Sequence, residues 1–251
     1  MIAVVRSEWI KLTTVRMNTV LVVIGFAFPV LITVLTMSLA STTTFDEKEL
    51  VGLVTGLSAI TAILLGVVGA AGITGEFGFN TIRPTFAATP KRTRVVVAKA
   101  IVTMFTALVV ESLVVVSALG IGTAIYNSRG ADLGILSDSS LWPPAFGIIV
   151  FAAIVALLGF GAGLVVRSTP AAVAFLILWP LLIENLISAV FALLEWEGAN
   201  KWLPYSAGIN LGNPESGGPD SLGRIGGGLY FFAFAALVTV IGSVITQRRD
   251  A

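Results

Sequence analysis

The sequence predicts an all-α, polytopic membrane protein: 251 residues forming a single transmembrane domain with six transmembrane helices. Three observations carry that prediction. Charged residues make up 12% of the chain and hydrophobic ones 56%, with a mean hydropathy of +0.97; soluble domains carry about 25% charged residues, so the solvent here is lipid. Six apolar runs, at about 17–40, 51–74, 95–124, 145–166, 171–194 and 228–246, match the length of about 20 residues that crosses a hydrocarbon core. The Lys and Arg residues also crowd into alternate connections, as the positive-inside rule requires.

Residues 1–16 are mildly amphipathic and read as an N-terminal interfacial helix. Ile2, Val5, Trp9 and Leu12 share one face, with Ser7, Lys11 and Thr14 roughly opposite. The run 17–40 is the first span, with Pro29 at its middle as a candidate kink. A secretory signal cleaved near Ser38-Leu39-Ala40 is the competing reading; the run is too long for an h-region and more spans follow it. Residues 41–50 are polar and acidic. In the second span Ser58, Ala62, Gly66 and Ala70 recur every fourth residue, a smooth stripe for close helix packing. The long third helix, 95–124, emerges from the bilayer at its inner end. Trp142-Pro143-Pro144 opens the fourth span. A tight turn at Arg167-Ser168-Thr169-Pro170 precedes the fifth, with Ser168 or Thr169 as its cap. Residues 195–227 form a long Gly/Pro-rich connection before the sixth span and a short basic tail.

Arg6, Lys11, Arg16, Arg83, Lys91, Arg92, Arg94, Lys99, Arg167, Arg248 and Arg249 lie on one side of this topology, with only Glu8, Glu76 and Asp250 as acids. The opposite side carries four cations (Lys48, Arg129, Lys201, Arg224) and most of the acids. The first side is therefore expected to be cytoplasmic, with both termini in it. Glu111 and Glu184 fall within spans, where a charge costs about 2.5–3.5 kcal/mol on insertion scales. Glu111 shares a helix face with Ala100, Ala107, Ala118 and Gly122; Glu184 has Asn185 and Ser188 close by. Either acid can serve a polar pathway, or lock helices together through hydrogen bonds.

Composition removes many functions. With no Cys there is no disulfide and no thiolate metal site; with no His the usual general base and the commonest transition-metal ligand are missing. GxxxxGK[ST] does not occur, and Gly226-Gly227-Gly228 follows no strand, so no nucleotide fingerprint is present. No catalytic or metal residue is assigned. The basic loops follow the topology rule and call for no nucleic acid.

The loop from 75 to 94 is longer than the two to eight residues or so that join neighbouring helices. Glu76 sits at the exit of the second span, Asn80-Thr81 suits a turn, Thr81–Ala88 admits a short surface helix, and Thr89-Pro90 restarts the chain before the basic residues. A short cytoplasmic helix of this kind fits a groove on a soluble partner.

Glu76, Thr81, Thr89, Pro90, Arg92 and Lys99 resemble the pattern found in integral-membrane (permease) subunits of the type-2 ABC exporter family. That pattern has a Glu at the exit of the second span, a Gly-Thr turn, a Thr-Pro pair with basic residues, and a Lys at the start of the third span. Asn80 stands where Gly is usual. The resemblance extends over the whole chain, including Trp202-Leu203-Pro204-Tyr205-Ser206-Ala207 in the last connection. It implies a cytoplasmic coupling helix docked on a separate ABC ATP-binding subunit, through Glu76, Asn80, Thr81, Ile82, Arg83, Thr85, Phe86, Thr89, Pro90 and Arg92. ATP and Mg would sit on that partner, with no cofactor in this chain. It further implies a second copy or a paralogue in the plasma (inner) membrane of a prokaryote, and export of a lipophilic or amphiphilic substrate. Pro29, Glu184, Asn185 and Ser188 become candidates for the translocation path, and 195–227 for an exit gate. The alternative expectation is a proton-coupled secondary transporter using Glu111 and Glu184; a further one is a membrane sensor or immunity factor that transports nothing.

Overall fold

The computed structural model describes residues 2–79, 81, 92–135, 138–196, 198–216 and 221–249. Among these the chain is helical, without strands: α1 (Ile2–Thr14), α2 (Arg16–Leu39), α3 (Glu47–Gly78), α4 (Arg92–Ser128), α5 (Trp142–Val166), α6 (Thr169–Leu193), α7 (Pro204–Ile209) and α8 (Gly223–Arg249). Single 3₁₀ turns occupy Ser139–Leu141 and Ala199–Trp202. Six helices, α2 to α6 and α8, are long and apolar enough to cross a membrane. The protein is a multi-pass membrane protein.

Helix ends extend past the apolar runs because polar side chains cap them. Asp46 accepts a hydrogen bond from Glu49 N at 2.7 Å while Glu49 Oε2 accepts one from Asp46 N at 2.8 Å, a capping box that starts α3 four residues before its apolar stretch. Arg167, at φ 57°, closes α5 in the left-handed region. Ser168 stands at the cap position of α6 but makes no capping hydrogen bond with its side chain, and Thr169 Oγ1 instead meets Thr74 Oγ1 at 2.6 Å.

The bundle is arranged around α5, 83% of whose apolar window is buried, against 22% for α2 and α8 and 11% for α6. α5 packs most extensively on α3 and α8, then on α4. The outer helices turn Ile24, Leu31, Leu181, Leu186, Leu237 and Val240 outward. In water this surface would be untenable; in lipid it is solvated. Close approach at the centre depends on missing side chains. The stripe Ser58, Ala62, Gly66 and Ala70 of α3 is buried, and a Cβ placed on Gly159 of α5 would stand 2.0 Å from Gly66 O.

Pro29 lies inside α2, which continues through it as helix. Proline has no N–H to offer the carbonyl four residues back. That carbonyl, Gly25 O, accepts a hydrogen bond from Thr61 Oγ1 of α3 at 2.7 Å. The lipid-embedded backbone is thereby satisfied by a neighbouring helix.

At the end of the bundle holding the 40–46 and 129–141 connections, Tyr126 Oη accepts from Thr44 N and Phe45 N and donates to Ser41 O. Arg129 donates to Met37 O in the last turn of α2 and to the carbonyl of its cap residue, Ala40. Tyr126, in the last turn of α4, and Arg129, just past its end, fasten the α2–α3 connection.

Gly159→Ala should destabilise the bundle by about 1–3 kcal/mol through overpacking. Gly120→Ala, where a Cβ meets nothing within 4 Å, should change stability by less than about 0.5 kcal/mol. Reversible denaturation of both variants in mixed micelles checks the pair.

Candidate functional site

At the end of the bundle holding the 79–91 connection, four ionisable side chains from three helices converge. Lys99 Nζ of α4 is hydrogen-bonded to Glu8 Oε2 of α1 and, at 2.6 Å, to Glu76 Oε1 of α3. Lys11 Nζ of α1 reaches Glu8 Oε1 and Glu76 Oε1, both at 3.0 Å. Lys99, Glu8 and Glu76 are 5%, 7% and 8% exposed. Those figures decide the energetics. Exposed ion pairs are worth about 0–1 kcal/mol, whereas stripping one partner from a buried pair costs about 3–5 kcal/mol. Lys11 is the solvent-facing member. Burial alone would lower its pKa, but the hydrogen bonds it donates to Glu8 and Glu76 and their charges raise it above the ordinary lysine value, so it stays an ammonium.

Local structure explains the convergence. Glu8 shares the inward face of α1 with the partly buried Val5, one turn before it, and Leu12, one turn after it, and α1 packs on α4. Trp9, expected on the apolar face, is 40% exposed and lies 6.1 Å from the Phe105 ring. Glu76 is two residues from the last residue of α3, and Lys99 lies two turns into α4. The network therefore clamps α1 to both flanks of the connection. Beside it, the Arg167 guanidinium lies 4.6 Å from the centroid of Phe77, joining the α5–α6 turn to the end of α3.

Thr81 donates its backbone N–H to Glu76 O at 3.0 Å, the first step of the connection. Asn80, Ile82, Arg83, Thr85, Phe86, Thr89 and Pro90 lie outside the described residues, as does the segment in which the sequence suggests a coupling helix. Arg92 opens α4. The helical wheel puts Lys11 on the polar face of α1 and passes over Glu8. The available signal was that Glu8 is the only acid in the first 45 residues, three positions from Lys11.

Glu184 belongs to a different arrangement. It is 2% exposed and accepts four hydrogen bonds: from Trp179 Nε1 (2.8 Å), Tyr205 N (2.7 Å), Ser206 N (2.8 Å) and Ser206 Oγ (2.6 Å). The carboxyl caps the first turn of α7, and so ties the 195–227 connection to the middle of α6. Tyr205 then packs edge-on against Phe151 and Phe231 at 5.2 and 6.0 Å. The tie occurs where α6 switches to one π turn, Trp179–Ile183, just before Glu184. Asn185, on the exposed side, donates to Pro180 O and Leu181 O in that turn. Ser188 is half-buried. Glu184 and Asn185, adjacent in sequence, thus face opposite ways.

Glu111 is fully buried in α4, and neither of its carboxyl oxygens has a hydrogen-bond partner. Ser58 of α3 is the polar neighbour it faces, beyond ordinary hydrogen-bond geometry. No group of three or more metal-ligating side chains occurs among the described residues.

Glu184→Ala should release α7. The amides of Tyr205 and Ser206 should then exchange with deuterium at least about tenfold faster, with α5 unchanged; hydrogen-exchange mass spectrometry reads both.

No protein-family model matches this chain, and no curated protein has significant sequence similarity to it.

Proposed function

We propose that the chain is the permease subunit of an ATP-driven ABC exporter, an integral-membrane transport subunit without an ATPase site of its own. In this reading the 75–94 connection is the cytoplasmic coupling element, and a separate ATP-binding subunit, carrying ATP and Mg, docks on it. The observation that carries the reading is the buried Lys99, held by Glu8 and Glu76. A connection that transmits force needs both its flanks fixed to the helices it moves. Lys99 and Glu76 are those flanks, and Glu8 adds α1 to the same unit. The cation bias of this end supports its placement in the cytoplasm, with α1 at the inner surface of a prokaryotic plasma membrane and both termini inside.

Export then proceeds between two copies, or between this chain and a paralogue. α6 supports that arrangement, since only 11% of its apolar window is covered by its own chain. Asn185 and Ser188 are the polar groups it offers to such a path. Glu184 contributes by holding the 195–227 connection as a gate, and Pro29 lies buried in α2 against α3. The apolar walls suit a lipophilic or amphiphilic substrate. Proton-coupled transport is the second reading, favoured by one observation: the buried, unpartnered carboxyl of Glu111. Glu184, occupied by four donors, is not a second relay group in it.

Deleting residues 80–88 should abolish ATP-dependent transport into inverted vesicles, the direction that corresponds to efflux from the cell, and co-purification of a Walker A-bearing chain, while leaving the melting temperature within a few degrees. ATP-dependent efflux that survives the deletion excludes the coupling assignment. Efflux that collapses with the proton gradient, persists without ATP and is lost in Glu111→Gln favours the second reading.

A further inference from the structure

A cavity of about 900 Å³ adjoins the Glu8–Lys11–Glu76–Lys99 network, within one copy of the chain. Its walls come from α1 to α6, and most of them are apolar: Leu12, Val15, Val68, Val102 and Phe160 among them. Two of the lining residues each carry a buried oxygen without a hydrogen-bond partner. Glu76 accepts both lysines on Oε1, leaving Oε2 buried and unpaired. Asn18, 3% exposed, donates to Leu12 O through Nδ2 while its Oδ1 has no donor. Buried acceptors of this kind call for an N–H or O–H group. The four network charges are two of each sign, so they neither repel nor demand a net charge.

We propose that this cavity binds an amphiphile with a primary-ammonium head and an apolar body. The head answers the chemistry of the two acceptors. A primary ammonium carries three N–H donors, enough for both acceptors; a hydroxyl offers one donor, and a trimethylammonium offers none. The body answers the walls. A bilayer lipid with an ethanolamine headgroup and a free long-chain amine both have this chemistry.

Titration of the full-length chain in dodecyl maltoside micelles, followed by native mass spectrometry, tests the site. Dodecylammonium should occupy one site per chain at least about tenfold more tightly than dodecyltrimethylammonium, which has the same charge and tail but no N–H. Phosphatidylethanolamine retained in preference to phosphatidylcholine identifies a lipid as the occupant. Amine binding without that preference identifies a smaller amphiphile. Glu76→Gln should reduce the discrimination between the two ammonium probes. Gly72→Leu extends a side chain from a position that lines the cavity and where a Cβ meets nothing within 4 Å. It should lower dodecylammonium occupancy about tenfold or more while the chain still folds, and so decides the matter should Glu76→Gln fail to fold. Equal binding of the two ammonium probes, binding of neither, or unchanged dodecylammonium binding in Gly72→Leu overturns the proposal and leaves the cavity to water.

Discussion

A lysine that cannot reach water must be answered by carboxylates, and Lys99 is such a lysine. The residue is 5% exposed and its ammonium has two acids in contact. That single requirement fixes three helices at once. Glu76 must leave the membrane where α4 enters it, and α1 must present Glu8 rather than its aromatic face to the bundle. A buried pair of this kind is weak as a source of net stability but costly to break. Its consequence is therefore geometrical: the ends of α3 and α4 and the body of α1 keep one arrangement. A rigid frame around a connection is what the coupling proposal needs.

The other end of the bundle is fastened by neutral or singly charged groups that bind backbone. Tyr126 and Arg129 gather the α2–α3 connection, and Glu184 caps α7. These contacts fix where each connection lies without cross-linking the spans through charge. Between the two ends, α3 and α5 touch backbone to backbone through Gly66 and Gly159. In lipid, such packing takes over the role that apolar burial plays in water. The Thr61 hydroxyl on the Gly25 carbonyl is the local repair that lets Pro29 sit inside a span.

The six spans were legible because hydropathy needs only local sequence, and the polar helix ends beyond them were legible only in part. Asp46 and Glu49 spell a capping box, yet the apolar count placed the start of α3 four residues late. Glu76 and Lys99 could be picked out of the basic loop, while Glu8 could not, since its partner is 91 residues away and the helical wheel gave weight to apolar residues. Glu184, Asn185 and Ser188 read as one polar patch along the chain. A helix turns about 100° per residue, which sends Glu184 inward and Asn185 outward. Pro29 announced itself in the sequence, but Thr61, which compensates for it, lies on another helix, 36 residues beyond the Gly25 carbonyl it serves.

The claim on which the coupling proposal rests is that α1 is bonded to α4 through a buried ion pair. A double-mutant cycle on Glu8→Gln and Lys99→Met, read by reversible denaturation in mixed micelles, measures that bond directly. Contacting charged residues in one network couple; residues without shared partners add. The double variant should be less destabilised than the sum of the single ones by at least about 1 kcal/mol. Additivity within about 0.5 kcal/mol would contradict it, leaving α1 attached by its apolar contacts alone.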